Sequence, residues 1–427
     1  MKFSKKQIII IAGGAVLSIV LIYLVAANIR PKPTVGPSLT LNLWGLDDKS
    51  AMSKIIGGYQ KLRPTVKVNY QQFSPADYEN QLLEAMASGQ SPDIFYIGNH
   101  GVPKSLDRIV AVSPTQFNLS GIRSLFPAAV EQDFVQNGTI YALPLYMDTM
   151  ALIYNKDYFN QAAIVYPPKT WNDFQNDVKI LRVISPNGQI ARAGAALGGS
   201  EKTVDAGVDL INLLMLQNGT QMIPSNFQGY TPQGFGDSGL AAFNFYLQFV
   251  NSTSPYYTWN EGQGNSLDSF AGGKTAMILN YQSAISVIQS KGPYINLAVA
   301  PMPQPTGAKL DVNYPRYYGL VVSKLSKATS WAWDFVIYAS TNESAQQAYL
   351  GATGRPPALL SLINADLNDL NLGVFAKQAL TARSWYIPDD TKVEDSFNSA
   401  IENVLSGKIN SKVALDQVGG AIGQLLK

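Results

Sequence analysis

Cysteine is absent from this chain of 427 residues, and histidine occurs once, as His100. The first absence excludes disulfides, thiol nucleophiles, thiolate zinc sites and iron–sulfur clusters. The second argues against a histidine-based catalytic triad or a multi-histidine metal centre. Charge is also scarce: 15% of the residues are Asp, Glu, Lys or Arg, with a net charge of +2. Neither that balance nor any long Lys/Arg run makes an electrostatic case for nucleic acid. No internal repeat is visible, and no low-complexity block beyond one Pro-rich spacer. What is plentiful is apolar and aromatic: 46% hydrophobic residues, including 22 Tyr, 17 Phe and 6 Trp, many in segments that read as loops. The length exceeds what one compact core usually serves, so two domains of ordinary size are expected.

Lys2, Lys5 and Lys6 precede an apolar run from Ile8 to Ala27. A helix of ~20 residues crosses a bilayer, and an ordinary signal h-region is shorter. The run is therefore expected to be an uncleaved anchor, with cleavage as a signal peptide after Val25-Ala26-Ala27 as the alternative. Basic residues before it favour a cytoplasmic N-terminus and an exported remainder. "RPKPTVGPS" then acts as a short spacer, and residues 1–37 form the anchor or signal segment.

The exported part opens with an α/β pattern. Leu39, Leu41 and Leu43 alternate with polar residues in a strand ending at Trp44-Gly45. A helix follows with the stripe Met52, Ile55, Ile56, Tyr59 and Leu62, stopped by Pro64. Val66, Val68 and Tyr70 give a second strand; Ser74-Pro75-Ala76-Asp77 starts a helix by cap, N1 proline and acidic N3. Asp93 to Ile97 is a third strand, and this alternation predicts crossovers on a parallel sheet. Further on, Thr170 caps a helix with the stripe Trp171, Phe174, Val178 and Leu181. Helices at about 205–217 and 240–250 follow, then strands in "TAMIL", "INLAVA" and "YYGLVVS", a helix in "ATSWAWDFVIYAS", and two closing helices.

One stretch raises a question: "PLYMDTMALIYNKDYF" holds a single carboxylate, Asp148, among apolar and aromatic residues just before a strand-like Leu152-Ile153-Tyr154. Burying an unpaired aspartate costs several kcal/mol. Asp148 is either a capping or core-edge acid bonded to nearby N–H groups, or a group that meets a ligand.

The series "LNLWG", "YENQLLEAMASGQSPDIFYIGN", "GTIYALPLYMDTMALIYNKDYF", "PPKTWNDF", "FAGGKTAMILNY", "APMPQP" and "YYGLVVSKLSKATSWAWDFVIYASTNESAQ" resembles, in order and spacing, the extracellular solute-binding proteins of ABC importers. Among these it is most similar to the sugar-binding group that includes maltose-binding protein, over about Leu39 to the C-terminus. The resemblance implies a two-lobed periplasmic-binding-protein-like α/β fold with an interlobe ligand cleft. Lobe 1 would comprise residues 38–147 and 318–353, and lobe 2 residues 148–317 and 354–427. The chain would cross near Asp148, near Tyr317 to Ser323 and again near Gly351 to Pro357. It further implies a monomer that needs no cofactor and delivers a sugar or oligosaccharide to ABC permease subunits.

Candidate ligand-binding residues follow from the rule that open α/β sheets bind ligands at strand ends. Trp44 offers an aromatic face to the C–H patches of a pyranose, or else lids the first lobe's core. Of Asp47 and Asp48, one is expected to cap the following helix and the other to bind hydroxyls. Tyr96 and Asn99 end the third strand, with His100 beside them as a loop residue; Asn280 and Tyr281 end "TAMILN". Trp259 is a loop aromatic, Tyr318 and Gly319 lie at the return crossing, and Arg355 is a cleft-edge donor or a solvated loop arginine. At Asp148 the resemblance implies a carboxylate for sugar hydroxyls. After "MILN" the chain departs from the maltose-binding pattern, with "YQSA" in place of an aromatic-bearing segment, which leaves the particular sugar open.

Rival classes are a surface glycosidase and a binding protein for a non-sugar solute such as a polyamine or peptide. Nothing marks the carboxylate pair that the first requires. Polyamine sites want several acids among aromatics, and the candidates above include few. A metal solute is disfavoured by one histidine and no cysteine. Asn364 to Gly373 lacks the terminal glutamate of a calcium loop and is expected to be a polar turn.

Overall fold

In the computed structural model, residues 39–223 and 235–426 are described. The leucine alternation becomes β1 (Leu39–Gly45), which buries Leu41 and Leu43. Helix α1 (Lys49–Leu62) turns Ala51, Met52, Ile55 and Tyr59 onto that strand, and its first turn is held by Asp48, which accepts from the Ser50 N–H at 2.6 Å. β2 (Val66–Gln72), α2 (Pro75–Ala87) and β3 (Ile94–Gly98) complete the opening pattern, and β2-β1-β3 run parallel as expected.

Each lobe has one large core, and a smaller third cluster with Ile153, Phe270 and Ile288 lies in lobe 2. Met147 belongs to the first and Met150 to the second, so the short strand β4 (Asp148–Thr149) is a crossing. In lobe 2, β5 (Ala151–Asn155) is the central strand; α3 (Trp171–Leu181) starts with the capping box of Thr170 and Asp173 and buries the expected stripe. Helix α4 (Gly207–Gln217) is buried over most of its length. β6 (Met277–Asn280), α5 (Ser283–Lys291) and β7 (Leu297–Ala300) follow, and the sheet order β6-β5-β7 is antiparallel throughout. Among the named strands parallel pairing is confined to lobe 1; in lobe 2 it occurs only as isolated bridges such as Ala193–Thr275 and Ala196–Ile278.

The chain returns through β8 (Pro315–Arg316), which pairs antiparallel with β4 to make a two-stranded hinge ribbon. β9 (Tyr318–Ser323) enters the first sheet antiparallel to β3. Helices α6 (Thr329–Thr341) and α7 (Glu343–Thr353) pack on lobe 1 beside α1. The expected third crossing at Gly351 to Pro357 moves. Ala358, Leu359, Leu362, Ile363, Ala376, Ala379 and Ala382 lie in the first core, and Trp385 and Ile387 in the second. The helices Leu360–Asp366 and Gly373–Ala379 are too short to show a helical period in sequence, and their small apolar faces fill lobe 1. The crossing accordingly falls between Ala382 and Trp385, and lobe 2 receives only α8 (Asp390–Leu405) and α9 (Ser411–Leu425). The apolar run Ile8 to Ala27 lies outside the described residues. Among the described residues no helix is long and apolar enough to cross a membrane.

Candidate ligand-binding cleft

Where the hinge ribbon meets both lobes, a cleft of about 400 Å³ opens between the end of β3, the N-terminal half of α4 and the start of α8. Gly98, Asn99 and His100 face it from lobe 1, Tyr314, Arg316 and Tyr318 from the hinge, and Asp205, Asp209 and Glu394 from lobe 2. A smaller compartment of about 160 Å³ lies between α2 and β3, and Gly98, Tyr318 and Asp390 line both.

The chemistry centres on Asp209, in the first turn of α4. Its Oδ2 accepts from the Tyr281 hydroxyl at 2.6 Å and faces Arg316 Nε at 3.0 Å. Asp209 holds the Arg316 guanidinium above its ordinary pKa, so it is a fixed cation. Arg316 also lies 5.5 Å from the centre of the Tyr281 ring. Next to them, Asn280 donates from Nδ2 to Asp205 at 2.8 Å and accepts from the Tyr281 N–H through Oδ1 at 2.8 Å. Burial, then its bond to Glu394, pushes the Glu201 carboxyl up to about 9, so this acid carries a proton at neutral pH. Burial pushes His100 down to about 4, leaving a neutral imidazole 3.5 Å from the Tyr314 hydroxyl. The cleft thus combines a fixed cation, ionisable acids, a carboxamide and tyrosine hydroxyls, all suited to hydroxyl-rich ligands.

The predicted residues divide. Tyr318 lines both compartments, Asn99 the larger and Tyr96 the smaller. Asn99 is itself held by Asp133, to which it donates at 3.3 Å, and by the Tyr317 N–H, which it accepts at 3.3 Å. Asn280 and Tyr281 reach the cleft through their bonds to Asp205 and Asp209.

The others have structural partners. Trp44 is half-buried against Phe73, with ring centres 4.6 Å apart, and packs on lobe 1's core. Asp48 is the helix cap already described. Asp47 is enclosed: Arg355 Nη1 lies 2.7 Å from Oδ1, and the Tyr96 and Tyr349 hydroxyls each donate to Oδ2 at 2.6 Å. Arg355 is stacked 4.1 Å over the Tyr146 ring instead of standing free at the cleft edge. Trp259 is fully buried, in the core with Phe270 and Ile278, and cannot reach a ligand. Gly319 is needed for packing, because a Cβ there would stand 2.6 Å from the Phe134 ring.

Asp148 meets the N-terminus of α5. It accepts from the Gln282 N–H at 2.9 Å and the Ser283 N–H at 3.0 Å. Burial raises its carboxyl to about 6, against the two backbone bonds. That is the capping answer of the two posed by the sequence, with the cap supplied from a different element.

Asp205, Asp209, Glu201, Glu394, Tyr314 and Arg316 were not singled out from sequence. A signal existed for Asp209, the one charged residue in the largely apolar run "GVDLINLLML". Arg316 stands just before the recognised return segment.

Two α/β lobes joined by a hinge ribbon, with a polar cleft between them, define the class of two-lobed solute-binding proteins. The chain belongs to the bacterial extracellular solute-binding protein family, which it matches over residues 44–346. That family is one of extracytoplasmic binding proteins. Among curated relatives, a maltotriose-binding protein of Pyrococcus abyssi is 23% identical over 72% of this chain and 63% of its own length. Among solved structures, an ABC substrate-binding protein from Listeria monocytogenes in complex with cycloalternan superposes with a TM-score of 0.73. It is 19% identical and covers 91% of this chain and 99% of its own. The cyclic α-maltosyl-1,6-maltose binding protein of Arthrobacter globiformis gives 0.75 at 17% identity, covering 92% and 100%.

Proposed function

We propose that this protein captures a carbohydrate outside the cytoplasm in the cleft between its lobes and presents it to an ABC importer. The observation that carries this reading is the hinge-side cluster of Asp209, Arg316, Tyr281, Asn280 and Asp205. A sugar hydroxyl both donates and accepts, so it is matched by carboxylate, guanidinium and phenol groups already held in place by one another. The names of the relatives, which are proteins for maltotriose and other sugars, support the same ligand class. Tyr318 supplies an aromatic face for ring C–H patches.

A thermal-shift screen of mono- and oligosaccharides, polyamines and amino acids tests this. A ligand at 100 times its Kd stabilises the folded state by about 2.7 kcal/mol. A shift with sugars alone is the expected result, and a shift with polyamines alone overturns the carbohydrate reading. One observation favours that second reading: Asp205, Asp209, Asp390 and Glu394 all line the larger compartment, where Arg316 is the facing cation. We further infer that Ile8 to Ala27 anchors the chain. The full-length protein is then expected to resist carbonate extraction from membranes, and a soluble product beginning at Asn28 overturns the anchor.

A further inference from the structure

We propose that Lys104 is an interlobe latch that also closes the passage between the two compartments of the cleft. Lys104 lies in the helical turn Pro103–Ser105, just after β3, next to Val102 of the first core. Its ammonium is 2.5 Å from Asp390 and 3.8 Å from Asp389. These acids form the start and N-cap of α8, which is rooted in the second core by Val393, Phe397 and Ile401. The third neighbour, Glu79 of lobe 1, is 3.6 Å away. One cation therefore ties two acids of the opposite lobe to one of its own.

The geometry makes the pair sensitive to hinge position. Residues 104 and 390 are fixed in different cores, so rotation about the β4–β8 ribbon separates them. Opening leaves Asp390 without its cation and Asp389 with only Lys392 of its own helix, 3.7 Å away, and returns Lys104 to Glu79 alone. Only 21% of the Lys104 side chain is exposed, so water and salt weaken this pair less than a surface ion pair. Burial works against the charge on Lys104, yet the bond to Asp390 keeps its pKa above the ordinary value.

Asp390 lines both compartments and Lys104 the smaller, so their contact stands where the two meet. A solute confined to the larger compartment leaves the contact in place. One that extends into the smaller must displace it or bond to it. The inference rests on the hinged, two-lobed reading of the cleft and is independent of which solute binds.

The test needs no ligand. Because the chain has no cysteine, spin labels placed through Lys61→Cys on α1 and Val413→Cys on α9 report the interlobe distance of the full-length protein without interference. A second label pair within lobe 1 checks that each variant stays folded. Lys104→Met and Asp390→Asn are each expected to raise the open-to-closed ratio roughly tenfold, as for loss of one half-buried charge-assisted contact. The double variant is expected to add little to either single change, because both remove the same contact. Unchanged distance distributions in both single variants overturn the latch, and so do effects that simply add in the double variant.

Discussion

Asp47 in lobe 1 and Asp209 in lobe 2 have nearly the same company. Each faces an arginine, at 2.7 Å for Arg355 and 3.0 Å for Arg316, and each accepts from a tyrosine hydroxyl at 2.6 Å. Each arginine also lies over a tyrosine ring, Tyr146 for Arg355 and Tyr281 for Arg316. The difference is exposure. The side chains of Asp47 and Arg355 are 1% and 26% exposed, and those of Asp209 and Arg316 are 10% and 49%. One cluster ties β1 to α7 and the following loop inside lobe 1, while the other stands in the wall of the cleft. The same side chains thus make a structural knot where they are enclosed and, on the proposed function, a binding surface where part of the cluster faces the cleft.

The largest expected effect would break the lobe 1 knot. Asp47→Ala leaves Arg355 as an uncompensated, largely enclosed charge, a situation that costs about 3–5 kcal/mol. Denaturant unfolding is expected to show that loss, with affinity per folded molecule unchanged. Weakened affinity without a stability loss would place Asp47 in the cleft machinery after all.

Next comes Asp133, which joins lobe 1 to the hinge. It accepts from the Tyr317 hydroxyl at 2.7 Å and from the Ser384 hydroxyl, and burial raises its carboxyl to about 7. Its unfolded pKa is about 3.9, so the native state holds the extra proton between those values. Its contribution to stability is full below pH about 4 and is lost as pH rises through about 7. The stability of the wild type minus that of Asp133→Asn is therefore expected to fall by on the order of 3 kcal/mol from pH 4 to 7.5. Denaturant midpoints across that range check it, and a difference that stays flat or grows with pH contradicts the assignment.

Arg316→Met sharpens the comparison from the cleft side. On the proposed function the guanidinium bonds ligand hydroxyls, and removing it is expected to weaken binding by about 10–100-fold, at roughly 1.4 kcal/mol per factor of ten. A stability loss is expected beside it, because Asp209, 10% exposed, keeps the Tyr281 hydroxyl but loses its cation, so affinity is read per folded molecule. Calorimetric titration with whichever sugar shifts the melt decides it. Unchanged affinity would make Arg316 merely Asp209's partner, as Arg355 is Asp47's.

The smallest effect is expected at Asp148. Asp148→Asn keeps one acceptor for α5 but turns an N–H group toward the other backbone donor, at a cost of about 1–2 kcal/mol. A thermal melt should detect the loss while ligand affinity is retained. The opposite pattern would return Asp148 to the ligand.

Much of lobe 1 was legible along the chain because its signals are local. Ser74-Pro75-Ala76-Asp77 carries its own helix start, and the alternation of Leu39, Leu41 and Leu43 states which face is buried. The same holds for Thr170 with Asp173 and for the stripe that follows them. The lobe boundary after Ala382 was not legible. Helices of seven residues show too little periodicity to declare a partner, and which core takes Leu362 or Ala379 depends on shape alone.

The candidate site was only partly readable for the same reason. Asn99, Asn280 and Tyr281 were singled out because strand ends face clefts, a rule that follows from chain order, and Tyr318 because it stands at the return crossing; all four line or adjoin the cleft. Asp47 and Arg355, some three hundred residues apart in sequence, look like a free cleft acceptor and a free cleft donor until the fold brings them together. Asp209 and Arg316 look unremarkable until the hinge ribbon sets one against the other. The sequence by itself determined the elements, their caps and the family, because those are written in spacing and residue type over short distances. Tertiary structure alone decided which charges are neutralised and which still face water, because an ion pair needs both partners within about 4 Å and chain separation says nothing about that distance.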